Sequence, residues 1–503
     1  MWYPNMLSRV SAPAKFWLVL AGFALVDCLS MLGWGWPVAG SVLAVALAVL
    51  WLVLAARNLP LAVVLLVVEL ILGSFGYLLS FELGTTRLSL RLLLFVAAFA
   101  VMLYRLASNR HHVVFSHPWI GWFVGALATL AWAAGSGYYH WNSLANLALD
   151  ANGYLYLLLL PLFVEAVALA GRERLLWYAR LLLVPAVVWL TLRTLGLLYL
   201  FTHLPAGSLT WVYQWYRDSS LGEITSAGGG FFRVFSQSHL YSGLAAVVGF
   251  GWLWHRLAAG RYTMRDILLP TAYSLLPTIA LVASLSRSLW LGVAAAWLIT
   301  PLLAWRSIKF GSWARYVLVT FVLLAASAGA VLMVARLPWP LAPLGAAGAQ
   351  VFASRFGAEP AGQARLKLLP PLLKAVQQRP LIGSGFGATV TYFSTDPRLV
   401  HATAGGSGLT TTYAFEWGYL DLWYKFGLVS MVLYLAFLLR PWFRGLGQWR
   451  RGELAGAGAL ALTALYITHL TTPYLNHPLG IGAVLALGAF MFAGAEKSAR
   501  RSS

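Results

Sequence analysis

An all-α, polytopic membrane fold is what this sequence predicts, and three observations carry it. Of 503 residues, 60% are hydrophobic and only 10% charged, against roughly a quarter charged in a soluble domain. Apolar stretches of about 20 residues, the length of helix that crosses about 30 Å of hydrocarbon, recur along the whole chain. The basic residues alternate between successive connections, as they do in chains inserted with a defined sidedness.

About fourteen stretches have the length to span. They lie near residues 16–36, 38–56, 61–81, 88–105, 118–135, 153–170, 181–201, 238–255, 267–285, 288–305, 316–335, 418–439, 454–472 and 478–495. The first follows Arg9 and Lys15 and has the look of a signal peptide, but stretches like it recur throughout, so it reads as an uncleaved span. The net charge of +20 is scattered between apolar runs rather than gathered on one soluble face, so it reports topology and no nucleic-acid partner is expected. The lone Cys28 offers neither a disulfide nor a cysteine metal site.

With the N-terminus inside, 21 of the 35 Lys and Arg fall in cytoplasmic connections, and every inner connection holds at least one. The short outer connections near 34–36, 135–152 and 471–478 hold none. Both termini are therefore expected in the cytoplasm. Two outer segments are long, Thr202 to Gln237 and Arg336 to Trp417, and loops of that length are uncommon unless they carry function. The chain divides into N-terminal spans (1–201), central spans with the first functional outer loop (202–335), a large, partly helical outer loop (336–417) and C-terminal spans (418–503).

The other basic residues lie on the side that the insertion bias disfavours and need another reason. They include Arg87, Arg91, Arg193, Arg233, Arg287, Arg355, Arg365 and Lys425. Arg287 sits in Ser284-Leu285-Ser286-Arg287-Ser288, a very short polar connection between two apolar runs. Two readings stay open for it: a guanidinium held for a ligand, or one that snorkels to headgroups. Arg233 follows three glycines in Gly228-Gly229-Gly230-Phe231-Phe232-Arg233, a stretch read as leading into a span. Arg193 is in mid-span, where a charge costs at least about 2.5–3.5 kcal/mol and calls for a carboxylate, with Asp27, Glu69 and Glu165 as candidates. Asp421 and Lys425, four residues apart, read as a pair within one helix. Tyr138, Tyr139, His140 and Trp141 read as interfacial aromatics and His477 as a turn cap. Arginines clustered at the outer surface suit a polyanion, because guanidinium binds phosphate oxygens bidentately. A lipid pyrophosphate or anionic lipid headgroups would both satisfy that chemistry.

These residues also carry a resemblance. The run Ser284-Leu285-Ser286-Arg287-Ser288-Leu289-Trp290-Leu291-Gly292 resembles the S-R-x-x-x-x-G helix start of the O-antigen ligase and Wzy-type polysaccharide polymerase superfamily. Pro380-Leu381-Ile382-Gly383-Ser384-Gly385-Phe386-Gly387 resembles its P-L-I-G-x-G-x-G signature, and Glu416 to Leu428 its segment leading from the large loop into the next span. The resemblance implies a GT-C-like glycosyltransferase of the bacterial inner membrane with a periplasmic site and neither metal nor cofactor. Its substrate would be an undecaprenyl-pyrophosphate-linked glycan, with membrane lipids and, as further partners, a flippase and a chain-length regulator. Arg233, Arg287, Arg355 and Arg365 would bind the pyrophosphate or glycan, and Arg287 would also stabilise the leaving group. The family's His-Asn pair is absent before the span, where Glu416 stands instead; His401 lies in the loop. Either could be the base, or no protein group at all. The missing pair favours a polymerase of oligosaccharide repeat units, O-antigen or exopolysaccharide, over a ligase to lipid A core or protein. A lipid-linked sugar transporter is the alternative of another class, and would predict internal repeats that the sequence does not show.

Overall fold

The computed structural model describes residues 11–84, 86–108, 117–258, 262–303, 310–345, 360–394 and 407–493. These form a mostly helical bundle. In chain order the helices are α1 (Ala12–Gly35), α2 (Pro37–Arg57), α3 (Leu59–Gly73), α4 (Leu90–Ala107), α5 (Ile120–Tyr139), α6 (Leu144–Tyr154), α7 (Leu160–Tyr178), α8 (Val184–His203), α9 (Thr210–Asp218), α10 (His239–Ala258), α11 (Met264–Ala283), α12 (Arg287–Leu303), α13 (Phe310–Arg336), α14 (Pro360–Gln378), α15 (Gly418–Arg450), α16 (Ala457–His469) and α17 (Pro478–Phe492). Eight helical runs among the described residues are long and apolar enough to cross a membrane; one, Leu144–His203, is a 60-residue run that takes in α6, α7 and α8. The chain is thus a multi-pass membrane protein.

Three short antiparallel hairpins decorate this bundle: β1 (Ser80–Leu83) with β2 (Thr86–Ser89), β3 (Glu223–Ser226) with β4 (Phe232–Phe235), and β5 (Val390–Phe393) with β6 (Leu409–Thr412). One expectation shifts as a result. The stretch near 61–81 is a 15-residue helix, α3, because the chain turns after Gly73 to enter β1. Arg233 lies within β4, just ahead of α10, and the register pairs Thr225 with Arg233 and Glu223 with Phe235.

Three ion pairs join helices to one another. Arg193 meets Asp27 at 3.1 Å and donates to the Leu72 carbonyl at 2.9 Å, while Trp189 Nε1 donates to the same carboxylate at 2.8 Å. The other two candidate acids have their own arginines: Glu69 holds Arg91 at 2.9 Å and Glu165 holds Arg105 at 2.9 Å. Each pair fastens two or more helices in a setting where an uncompensated charge would be costly.

The loop signature docks onto a broken helix. At Gly427 the 33-residue α15 leaves helical geometry, with φ 73° and ψ 166°. The carbonyls of Tyr424 and Lys425, which helical amides would otherwise take, accept instead from Ser384 N at 2.8 Å and Gly385 N at 3.0 Å. In return Leu428 N donates to Pro380 O at 2.9 Å, so the loop replaces bonds that the helix gives up. On its other side the loop meets α5: Phe386 N donates to Ala133 O at 2.9 Å, and a Cβ on Gly385 would collide with the Gly137 backbone. The φ,ψ pair at Gly427 is open essentially to glycine alone and costs other residues about 1–3 kcal/mol. Gly427→Ala should therefore lower the melting temperature in detergent and loosen the 380–387 segment, read as faster amide exchange there. An unchanged melting curve would show that the break is not under this constraint.

Candidate functional site

The site grows from a strained turn. Between α11 and α12, Leu285 has φ 48°, a conformation that a branched residue rarely adopts and that surrounding contacts must hold. The holding contacts are visible. Ser286 N donates to Ser284 Oγ at 3.3 Å, Thr472 Oγ1 to Ser288 Oγ at 2.9 Å, and Trp290 Nε1 back to Leu281 O at 2.9 Å. α12 begins at Arg287 itself.

Arg233 reaches this turn from β4. Its Nε donates to the Ser284 carbonyl at 2.8 Å, and its guanidinium carbon lies 4.6 Å from the centre of the Phe235 ring. That bond fixes the hairpin against the turn, so residues more than fifty positions apart share one wall. Both arginines line a single cavity of about 1050 Å³, to which the two long connecting segments contribute.

Arg365 and Glu416 line the same cavity and are ion-paired with each other, Nε to Oε2. Trp417 Nε1 donates to the Arg365 carbonyl at 3.0 Å, which seats α14 against the start of α15. The structure thus brings together Arg233, Arg287, Arg365 and Glu416. Arg355 and His401 lie outside the described residues.

Several lining residues were not assigned to a site from sequence. Arg87 and Arg91 were noted only as positive charge on the disfavoured side; both line the cavity. Arg87 Nε donates to Ser80 Oγ at 2.7 Å and its Nη1 to the Asp218 carbonyl at 2.9 Å. Both acceptors are neutral, and Arg87 makes no ion pair with a carboxylate among the described residues. Arg91 is bound through two nitrogens to Glu69, at 2.9 and 3.0 Å.

Lys425 was expected to pair with Asp421, and does so at 2.7 Å. Unforeseen is its second partner, Asp150 at 2.6 Å, whose other oxygen accepts from Gly387 N at 2.7 Å. Asn476 Nδ2 donates to Asp421 at 2.7 Å. The signal for Asp150 was a lone acid inside the apolar run from Leu144 to Leu160.

His477 does cap α17, accepting from Leu479 N at 3.3 Å, yet it lines the cavity as well. Burial, reinforced by the Arg91 guanidinium, lowers its imidazole to about 3. It is therefore neutral near pH 7, and because Nδ1 accepts, Nε2 carries the proton and can only donate. Tyr138, Tyr139 and Trp141 are strongly exposed and are not among the residues lining the cavity.

Residues 272–435 match the family model described as O-antigen ligase. That stretch contains the Leu285 turn, Arg287, Arg365, the 380–387 loop, Glu416 and the Gly427 break. The match supports the resemblance to the O-antigen ligase and Wzy-type superfamily and, with it, a function of the O-antigen ligase or polymerase type. No curated protein matches the chain.

The buried triad yields a sharp expectation. Lys425→Met leaves Asp150 and Asp421 as two uncompensated carboxylates, a change of the kind that costs about 3–5 kcal/mol. Removing one acid as well, in Asp421→Asn with Lys425→Met, should recover part of the loss. Thermal unfolding in detergent checks the ordering: the single variant must melt below the double.

Proposed function

We propose that the chain is a glycosyltransferase of the bacterial inner membrane that polymerises undecaprenyl-pyrophosphate-linked oligosaccharide repeat units at the periplasmic face. The observation that carries this reading is the convergence of Arg233, Arg287 and Arg365 on one cavity of about 1050 Å³, in a chain matched to an O-antigen ligase domain. Pyrophosphate is a good leaving group once its developing charge is met, and preorganised guanidinium groups meet it without reorganising. Arg287, at the first position of α12, also has the helix N-terminus behind it, which favours an anion.

In the proposed cycle Arg233 and Arg287 hold the donor's pyrophosphate. The acceptor hydroxyl attacks the anomeric carbon while a carboxylate takes its proton. Glu416 is one of three carboxylates that line the cavity among the described residues, with Asp150 and Glu223; His401 remains the histidine alternative. Membrane lipids surround the bundle, and a flippase and a chain-length regulator are the proposed partners. The description of the matched family favours a second reading, ligation of the finished polysaccharide to lipid A core or protein. Against it stands Glu416 in the place of the family's His-Asn pair.

The test uses purified protein with a synthetic undecaprenyl-pyrophosphate oligosaccharide. Extended lipid-linked chains with release of undecaprenyl pyrophosphate are expected. Transfer that appears only when a lipid A core acceptor is added would select the ligase reading, and no transfer with either acceptor would sink both. Arg287→Ala and Arg233→Ala should each lower kcat/KM by about 100-fold or more, the scale of losing one preorganised donor to a developing oxyanion. Full activity in both variants would remove them from the site.

A further inference from the structure

Three carboxylates line the cavity among the described residues, and their surroundings separate them. Asp150 has both oxygens engaged, by Lys425 at 2.6 Å and by Gly387 N at 2.7 Å. Glu416 is ion-paired through Oε2 with the Arg365 guanidinium, which fixes it to α14. Glu223 is exposed on β3 and makes no side-chain hydrogen bond or ion pair among the described residues.

A general base needs a lone pair free to accept and must stand within reach of the proton it removes. We propose that Glu223 is the catalytic residue that takes the proton from the acceptor hydroxyl, an assignment that rests on the glycosyl-transfer reading above.

The register of the hairpin supplies the geometry. Glu223 lies directly opposite Phe235 and Thr225 opposite Arg233. Directly opposed residues share a face of an antiparallel pair, as do residues two apart on one strand. Glu223, Thr225, Arg233 and Phe235 therefore stand on one face of a single hairpin, with Glu223 and Arg233 as diagonal neighbours about 7–8 Å apart at the backbone. The two charges are not ion-paired. Instead the Arg233 guanidinium lies over the Phe235 ring at 4.6 Å and is tied to the Ser284 carbonyl. Carboxylate and guanidinium are thus presented to the same cavity from one face of one hairpin.

The step balances. The acceptor O–H proton moves to the Glu223 carboxylate, and the acceptor oxygen forms its bond to the anomeric carbon. The bond from that carbon to the pyrophosphate oxygen breaks, and its electron pair leaves with the lipid pyrophosphate, whose charge Arg233 and Arg287 meet. Glu223 and Arg233 both precede the stretch matched by the family model, residues 272–435, so this assignment places the acceptor-activating group on a part of the chain that the match does not reach.

The test compares full-length wild type with Glu223→Gln and Glu223→Asp, using a synthetic undecaprenyl-pyrophosphate oligosaccharide as donor and acceptor. Glu223→Gln should lower kcat by about 10²–10⁴-fold, the usual contribution of a general base, with the donor KM within about threefold of wild type and the melting temperature unchanged. The fall of activity towards acid pH, which protonation of a carboxylate base imposes, should vanish in Glu223→Gln and persist in a partly active Glu223→Asp. A kcat for Glu223→Gln within about threefold of wild type overturns the assignment, and so does a loss matched by a lower melting temperature or weaker donor binding. An inactive wild type with competent substrates overturns the glycosyl-transfer reading itself, an outcome distinct from an active wild type with an active Glu223→Gln.

Discussion

The break in α15 at Gly427 is the constraint on which the rest of the site depends. In apolar surroundings a helix cannot give up backbone hydrogen bonds without a replacement, since each unsatisfied group costs several kcal/mol. The 380–387 segment supplies that replacement amide for carbonyl, and has no comparable docking surface if the helix stays whole. Break and loop are therefore a single feature. Just before the break, the fully buried Lys425 sits between Asp150 and Asp421, and Asn476 adds the segment that follows α16. The Lys425 cluster thus ties together α6, the loop, α15 and the 470–477 segment, and Asp150, Lys425 and residues of 471–477 line the cavity.

The electrostatic character of the cavity follows from what is cancelled and what is not. Arg91, Arg365 and Lys425 each face a carboxylate within ion-pairing distance, so they organise structure more than they add positive potential. Arg87 is held by a hydroxyl and a carbonyl and keeps its charge. Arg233 is directed by a carbonyl and lies over an aromatic face. Bonds to neutral partners fix the direction of a guanidinium without neutralising it, which is the arrangement a preorganised anion site requires.

Much of this architecture was legible in the sequence. Its mostly helical, multi-pass character was, because apolar runs of the right length leave a chain in a bilayer few options. That Arg193 needed a carboxylate was legible too, since a mid-span charge demands one; that it would be Asp27 rather than Glu69 or Glu165 was not, because depth and facing are set by packing. The 380–387 segment stood out only by its resemblance to a family signature; its partner at Gly427 lies some forty residues on, and only the folded chain joins them. The β3–β4 hairpin was hidden because each strand has four residues, too few for an alternating pattern to stand out. Glu223 was overlooked for the same reason: in a loop of unknown path an acid is only an acid, whereas in a known register it has an opposite number and a diagonal neighbour.

The division between the matched stretch and the remainder has its own logic. Residues 272–435 supply Arg287, Arg365, Glu416 and Lys425, together with the strained turn and the helix break. The chain on either side supplies Arg87, Arg91, Asp150, Glu223, Arg233 and His477. The two sets are interlocked rather than adjacent: Arg233 is bonded to the Ser284 carbonyl, Asp150 to Lys425 and Gly387, and Asn476 to Asp421. A cavity assembled in this way can change its outer wall while the matched stretch keeps its turn, its break and its pairs. Discrimination between substrates is a difference in the contacts each one makes, so side chains on the hairpins outside the matched stretch can vary it without disturbing the bonds that hold the site open.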